Sequence, residues 1–135
     1  MMRIVLDTNC LLMILPRRSP YRIVWDEFLA CHIVFCLSND IMEEYVEKLS
    51  EKTSPEVASN VINTILNKKD NVVLVDPRYR FRLIEADPDD NKFTDCAVAA
   101  GADLLVSNDS HFRALRSISY PRVKVVDLPS FVGLL

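Results

Sequence analysis

The sequence predicts an α/β fold: a three-layer α/β/α sandwich with a central, mostly parallel sheet of about five strands. Short and wholly apolar segments alternate with longer segments that have helical periodicity. The apolar segments lack interleaved polar residues, which is typical of strands buried on both faces of a parallel sheet. With 135 residues, the chain has the length of one domain, residues 1–135, with a core of its own.

The elements follow one another along the chain in a regular order. The predicted strands cover residues 3–6, 33–37, 72–75, 104–106 and 123–126. The predicted helices cover about 21–30, 38–52, 54–68, 89–101 and 111–116, before a short terminal segment, 128–135. Ser38 and Ser54 are typical residues before a helix N-terminus, and Gly101 suits a left-handed helix end. Trp25 and Phe28 have helical spacing and are predicted core residues.

Composition excludes several classes of protein. The net charge of −3 is not the basic balance of a dedicated DNA-binding module. With only two glycines, the chain has neither common phosphate-binding loop and no G-x-S-x-G nucleophile elbow. The four cysteines and two histidines are scattered, so we expect no structural zinc site and give the histidines no role. We find no membrane-spanning run or signal peptide and expect a cytoplasmic protein.

Acidic and small polar residues follow the predicted strands. They are Asp7 after the first strand, Ser38, Glu43 and Glu44 beyond the second, Asp76 after the third, Ser107 and Asp109 after the fourth, and Asp89 and Asp90 before the helix that precedes the fourth. In an open parallel sheet, ligands bind beyond the carboxyl ends of the strands. Carboxylates that crowd together repel one another, so such a cluster usually holds a cation. Oxygen ligands of this kind indicate Mg²⁺ or Mn²⁺.

Each acid also has a purely structural interpretation. Asp7 could be a turn residue, and Asp90 could cap the helix that follows Pro88. Asp109 could cap the short helix after it. Glu43 and Glu44 lie on opposite flanks of the buried face of their helix, each about 130° from its centre, so geometry does not choose between them.

Two basic segments are candidates for RNA contact. The first, "PRRSPYR", contains Arg17, Arg18 and Arg22. The second, "PRYRFR", contains Arg78, Arg80 and Arg82, interleaved with Tyr79 and Phe81. Arginine beside aromatic residues suits phosphate contact with base stacking. An exposed loop or an edge strand is the alternative interpretation.

Four blocks in order resemble a known family. They are "VLDTN", the serine, glutamate and tyrosine of the helix near residue 44, "DPDDNKFTDCAVAAGAD" and "LLVSND". This pattern is similar to the PIN domain family, and most similar to its toxin branch from bacterial toxin–antitoxin systems. The resemblance covers residues 3 to about 128. It implies a PIN-like fold and a ribonuclease that depends on Mg²⁺ or Mn²⁺, whose partners are RNA, a candidate cognate antitoxin and a candidate second copy in a homodimer.

Carried over to this chain, the resemblance implies catalytic, metal-binding roles for Asp7, Glu44, Asp90 and Asp109. Glu44 is favoured over Glu43 because the helix acid of the family usually precedes an aromatic or aliphatic residue. The implied supporting residues, which would hold the acids in place, are Asn9, Ser38, Asp95 and Ser107. A small deviation is that Ser107-Asn108-Asp109 replaces the more usual threonine or serine and glycine before the last acid.

Other functions fit the same fold. A PIN-fold module that binds RNA or protein without cutting is the main alternative. Receiver domains need adjacent acids after the first strand, where this chain has one. Haloacid phosphatases need D-x-D there, and Asn9 stands at the second acid position.

Overall fold

A computed structural model describes residues 1–77, 90–118 and 121–135. The strands are β1 (Met2–Leu6), β2 (Ile33–Leu37), β3 (Val72–Leu74), β4 (Leu104–Val106) and β5 (Val125–Val126). The α-helices are α1 (Thr8–Ile14), α2 (Arg22–Leu29), α3 (Asn39–Lys52), α4 (Pro55–Asn67), α5 (Asn91–Ala100) and α6 (Leu128–Val132). Segments of 3₁₀ helix cover Lys69–Asn71 and Ser110–Ser117.

The five described strands form one sheet in the order β3-β2-β1-β4-β5, and every pair is parallel. This confirms the predicted fold class. The chain builds outward from β1 to β3 and then returns to place β4 on the other side of β1. The strand order therefore reverses between β1 and β4, and the carboxyl ends of these two strands border the crevice where open α/β sheets bind ligands.

The helix boundaries follow from local chemistry. Ser38 Oγ accepts the Ile41 N–H at 3.3 Å and caps α3, and Ser54 Oγ accepts the Val57 N–H at 3.2 Å and caps α4. Helix α5 ends at Gly101, whose φ of 61° lies in the left-handed region that glycine adopts without strain. These serines and this glycine were the predicted boundary residues.

The core lies around β1, β2 and β4, in which almost every residue is buried. Trp25 and Phe28 of α2 belong to the core as predicted, and Phe28 stacks on Phe35 with ring centroids 4.0 Å apart. The buried amide of Asn71 donates to the carbonyl oxygens of Phe28 and Ile33 at 2.8 and 3.0 Å, which fixes the entry into β3. No helix of the described residues is long and apolar enough to cross a membrane.

Some predicted elements were wrong in detail. Helix α1 was not predicted as an element, although its first residues follow β1 directly. The fifth strand covers only Val125–Val126, and the third is half-exposed, because β5 and β3 are the edges of the sheet. The predicted short helix is a 3₁₀ helix, Ser110–Ser117. Part of the predicted helix 89–101 lies outside the described residues, and α5 begins at Asn91.

Candidate active site

Asp7 lies at the carboxyl end of β1, where the strand turns into α1. The residue is 6% exposed, and its carboxylate accepts a hydrogen bond from the Ser107 hydroxyl at 2.8 Å. Burial raises the pKa of Asp7 because water no longer solvates the charge, and the nearby carboxylates of Glu44 and Asp109 add to this rise. The hydrogen bonds from Ser107 and from the Thr8 main chain lower the pKa but do not cancel the rise.

Ser107 connects two of the acids. Its hydroxyl donates to Asp7, and its oxygen accepts the main-chain N–H of Asp109 at 3.0 Å. Asp109 in turn accepts the main-chain N–H of His111 at 2.9 Å through Oδ1 and so caps the 3₁₀ helix Ser110–Ser117. Ser107 is buried, so this connection fixes the ends of β1 and β4 relative to each other.

Helix α3 presents Glu44 to the same edge of the sheet. The Thr8 hydroxyl donates to Glu44 Oε2, and Lys92 Nζ lies 3.0 Å from Glu44 Oε1. The neighbouring Tyr45 is buried, and its hydroxyl donates to the last carbonyl of β1, which sets the rotation of α3. Glu43 is exposed and lines a shallow groove on the outer surface of α3. The structure therefore brings Glu44, and not Glu43, to the acids.

Asp90 reaches the cluster from the start of α5. Its Oδ2 lies 3.6 Å from His111 Nδ1, which lies 3.4 Å from Asp109 Oδ1. One donor atom from each of these three residues lies within 4.8 Å of the others. The side chain of Asp90 makes no capping hydrogen bond to α5, and the residues before it, to which a capping box would reach back, lie outside the described residues. Asp109 does cap a helix, and it lies in the cluster as well.

Two series of side-chain contacts connect the acids at the carboxyl edge of the sheet. Asp7 connects through Ser107 to Asp109, then through His111 to Asp90. On the other side, Glu44 connects to Thr8, beside Asp7, and to Lys92, two residues after Asp90. Four carboxylates with one ammonium leave an excess of negative charge in a partly buried space, and a cation at this place would reduce the repulsion between them.

The predicted supporting residues occupy different positions. Ser107 contacts two acids directly, whereas Ser38 caps α3 and acts on Glu44 only by fixing the start of its helix. Asp95 is buried within α5. Asn9 is exposed, and its side chain has no hydrogen bond to the described residues. Asp76 is also exposed and does not join the cluster.

The arginines of the two basic segments also differ in their positions. Arg17 and Arg18 are exposed after α1. Arg22 lies 3.3 Å from Asp26 and donates to the Leu15 carbonyl, so it fixes the start of α2. The other predicted arginines, Arg78, Arg80 and Arg82, lie outside the described residues.

Three site residues were missed by sequence reasoning: Lys92, His111 and the hydroxyl of Thr8 as a partner of Glu44. Lys92 stands inside the quoted block "DPDDNKF", and His111 follows Asp109 by two positions, so both were visible beside recognised acids. Their partners are distant in sequence; Lys92 and Glu44 are separated by 48 residues. The proximity could therefore be recognised only after the topology was known.

The fold and the site define a class: a doubly wound α/β domain with a carboxylate cluster at its topological switch point. The chain belongs to the PIN domain family, since the family profile described as "PIN domain" matches residues 3–111. This confirms the resemblance read from the four sequence blocks. No curated protein sequence matches the chain.

Three solved structures are similar in fold. DNA-bound VapBC from Salmonella typhimurium has a TM-score of 0.59 and 17% identity over 95% of this chain and 99% of that chain. VapBC2 from Rickettsia felis, bound to a promoter DNA fragment, has a TM-score of 0.62 and 17% identity over 93% and 98%. VapBC-1 from nontypeable Haemophilus influenzae has a TM-score of 0.59 and 15% identity over 95% and 99%. At such identities, the similarity concerns the fold alone.

Proposed function

We propose that this PIN domain is a ribonuclease that depends on Mg²⁺ or Mn²⁺ and hydrolyses phosphodiester bonds of RNA. The observation that supports this most strongly is the convergence of Asp7, Glu44, Asp90 and Asp109 at the switch point between β1 and β4. These acids come from four separate parts of the chain. A purely structural role would not require them to meet at the edge where ligands bind.

The donor set fits a divalent cation. Asp90 and Asp109 would hold it together with Asp7, whose buried charge a cation would stabilise. His111 adds an imidazole nitrogen to these oxygens, and an ion that accepts both donor types suits this set, which favours Mn²⁺ over Mg²⁺. When bound, such an ion lowers the pKa of a bound water and neutralises charge on the phosphate oxygens.

The residues of the chain would divide the remaining tasks. Ser107 would keep the carboxylates of Asp7 and Asp109 in fixed relative positions through its two hydrogen bonds. Thr8 would hold Glu44 at one oxygen, so that the other faces Lys92. The ammonium of Lys92 lies within the acidic cluster, where it would attract a phosphate that the carboxylates alone would repel.

The biological role that we propose is that of the toxin in a toxin–antitoxin pair. Two observations support it: the resemblance of the sequence blocks to that branch of the family, and the similar fold of chains from three VapBC structures, two of which contain DNA. A cognate antitoxin protein and a second copy of this chain are the proposed protein partners. A small DNA-binding protein encoded by the neighbouring reading frame would support this role.

The test of the activity compares two adjacent glutamates. Purified chain is incubated with labelled single-stranded RNA in Mn²⁺ or in EDTA, and cleavage rates are measured for the parent, Glu44→Gln and Glu43→Gln. We expect cleavage only with Mn²⁺ or Mg²⁺, a loss of at least about 100-fold for Glu44→Gln, and near-parent rates for Glu43→Gln. The two variants lose the same charge from the same helix, so Glu43→Gln is the matched control.

Two outcomes would contradict the proposal. Undiminished cleavage in EDTA would exclude the metal mechanism. RNA binding without any metal-dependent cleavage would instead favour the alternative, a PIN-fold module that binds RNA or protein without cutting.

A further inference from the structure

A groove leads away from the acidic cluster along the edge of the sheet. It lies between the 3₁₀ helix Ser110–Ser117 and β5. Its inner part, a cavity of about 100 Å³, is lined by Asp109 and Asp127, together with Ser107, Arg116 and Val125. Its outer parts, of about 190 and 270 Å³, are lined by Arg116 and Arg122, with Lys124 in the first of them. Arg116 lines all three parts, and we call the three together the Arg116 groove.

We propose that the Arg116 groove binds the RNA strand that continues from the phosphate at the acidic cluster, with Arg116, Arg122 and Lys124 contacting its backbone. The inference deepens the proposed function and depends on it. Sequence reasoning placed RNA contacts in two arginine-rich segments, and it gave no role to these three residues.

The charges along the groove support a nucleic-acid strand. Arg116, Arg122 and Lys124 are all exposed, and none lies within ion-pair distance of a carboxylate in the part of the chain that the structure describes. The inner end is different because Asp109 and Asp127 line it. Negative charge therefore stands where a cation would bind, and positive charge stands where a polyanion would leave that site.

Asp127 does not neutralise this path. Its Oδ1 accepts the Ser130 N–H at 2.8 Å and caps α6, and this hydrogen bonding lowers the pKa of Asp127. The carboxylate stays charged, but it lies at the inner end of the groove and forms no ion pair with Arg116 among the described residues. Arg116 interacts with it only at longer range, so its guanidinium remains accessible to a phosphate.

The floor of the groove suits sugar and base rather than a second charged surface. Leu115 and Val123 are buried, and Ile118 and Val125 are half-buried between the three cations. Exposed cations can contact the phosphates of a single strand without reading its sequence, and the aliphatic floor between them can contact its sugars and bases. An acidic protein segment could bind the same cations, but the carboxylates of the cluster would repel it at the inner end of the groove.

The test measures RNA binding without cleavage. A fluorescent single-stranded RNA is titrated in EDTA at several salt concentrations with the parent, Arg116→Gln, and the double variant Arg122→Gln/Lys124→Gln. The matched control is Lys52→Gln/Lys69→Gln, which removes two exposed positive charges outside the groove. Circular dichroism and melting temperature verify that each variant is folded.

We expect the double groove variant to bind about tenfold more weakly, with a log–log salt slope that is shallower by about 1.4, since each lost single-strand phosphate contact contributes about 0.7. Arg116→Gln should lose about half of this slope, and the control should stay within about twofold. Equal losses in groove and control variants would overturn the inference. A second result would also overturn it: poly-glutamate binds at the groove and RNA does not displace it, while the groove variants keep the RNA affinity of the parent. The groove would then be the site of an acidic protein partner.

The same samples separate this inference from the proposed function. If RNA binding depends on the groove but Mn²⁺ produces no cleavage, the proposed ribonuclease activity is wrong and the groove stands as a binding surface. If Mn²⁺ produces cleavage while the groove variants bind and cleave like the parent, the activity stands and the groove inference is wrong.

Discussion

The substitution Ser107→Ala removes two hydrogen bonds in one step. The Ser107 hydroxyl donates to the Asp7 carboxylate at 2.8 Å and accepts the Asp109 N–H at 3.0 Å, and the residue is buried. A hydrogen bond to a charged group contributes about 1.5–3 kcal/mol, and an unsatisfied N–H costs about 1–3 kcal/mol. Allowing for relaxation around the alanine, we expect a loss of about 3 kcal/mol in the free energy of unfolding at neutral pH, or roughly 10 °C in Tm.

The loss should depend on pH, with a sign that follows from Asp7. Folding raises the pKa of Asp7 above 3.8, so the folded protein binds this proton more tightly than the unfolded chain. The contribution of Asp7 to stability therefore falls as pH rises from 3.8 through the folded pKa. Because the Ser107 bond lowers that pKa, its removal raises the pKa further. Ser107→Ala should then cost more above the folded pKa, where Asp7 is charged, than below it.

Urea unfolding of four proteins in EDTA measures this: the parent, Ser107→Ala, Asp7→Asn and the double variant. Asn at position 7 can still accept the serine hydroxyl but carries no charge, so Ser107→Ala should cost about half as much in that background. The reasoning would be refuted by an equal cost in both backgrounds and at both ends of the pH range. A cost below about 0.5 kcal/mol in the parent would refute it as well.

Three further experiments with variants test other parts of the molecule. Asn71→Ala leaves two main-chain carbonyls without the buried amide that donates to them at 2.8 and 3.0 Å, so urea unfolding should show a loss of about 2–4 kcal/mol; an unchanged midpoint would contradict this. Cys31→Gly relieves a left-handed residue with φ of 62° and should add about 0.5–1 kcal/mol to the free energy of unfolding, whereas Cys31→Ala should not. A destabilised glycine variant would show that the contacts of the Cys31 thiol with Lys68 Nζ at 3.2 Å and Asn71 Oδ1 at 3.7 Å contribute more. Arg17→Gln/Arg18→Gln should weaken RNA binding in EDTA and flatten its salt dependence, as measured by fluorescence anisotropy; unchanged affinity would exclude these exposed arginines as RNA contacts.

Hydrophobic pattern was sufficient to predict the central strands and the order of the elements. β2 is a run of five buried apolar residues, and such a run between turn signals has few other interpretations. Helix α1 was missed because its residues form an almost continuous apolar run, in which the period of a helix cannot be recognised. Exposure of the edge strand β3 was not predictable from its own residues, because strand order is a property of the whole sheet.

The four acids were recognised from the sequence blocks. That they lie close together was predicted from the parallel sheet, whose strands end at the same edge. The rotation of α3, which separates Glu44 from Glu43, depends on the hydroxyl of Tyr45 and on Thr8, and neither contact can be read from a helical wheel. Lys92 and His111 join the site only through tertiary contacts. The sequence therefore predicted which carboxylates meet at this edge of the sheet, but not which residues contact them.

If the carboxylates of the cluster hold a divalent cation, Mn²⁺ must stabilise the folded protein, and the size of that stabilisation can be measured. Melting temperatures are recorded for the parent, Asp90→Asn and Asp109→Asn, each in EDTA and in millimolar Mn²⁺. Asn caps a helix about as well as Asp, so the capping bond of Asp109 is retained while the charge is lost. We predict that both variants melt higher than the parent in EDTA, because repulsion is relieved, and that Mn²⁺ stabilises them less than the parent. If Mn²⁺ raises the melting temperature of both variants as much as that of the parent, Asp90 and Asp109 do not bind the ion.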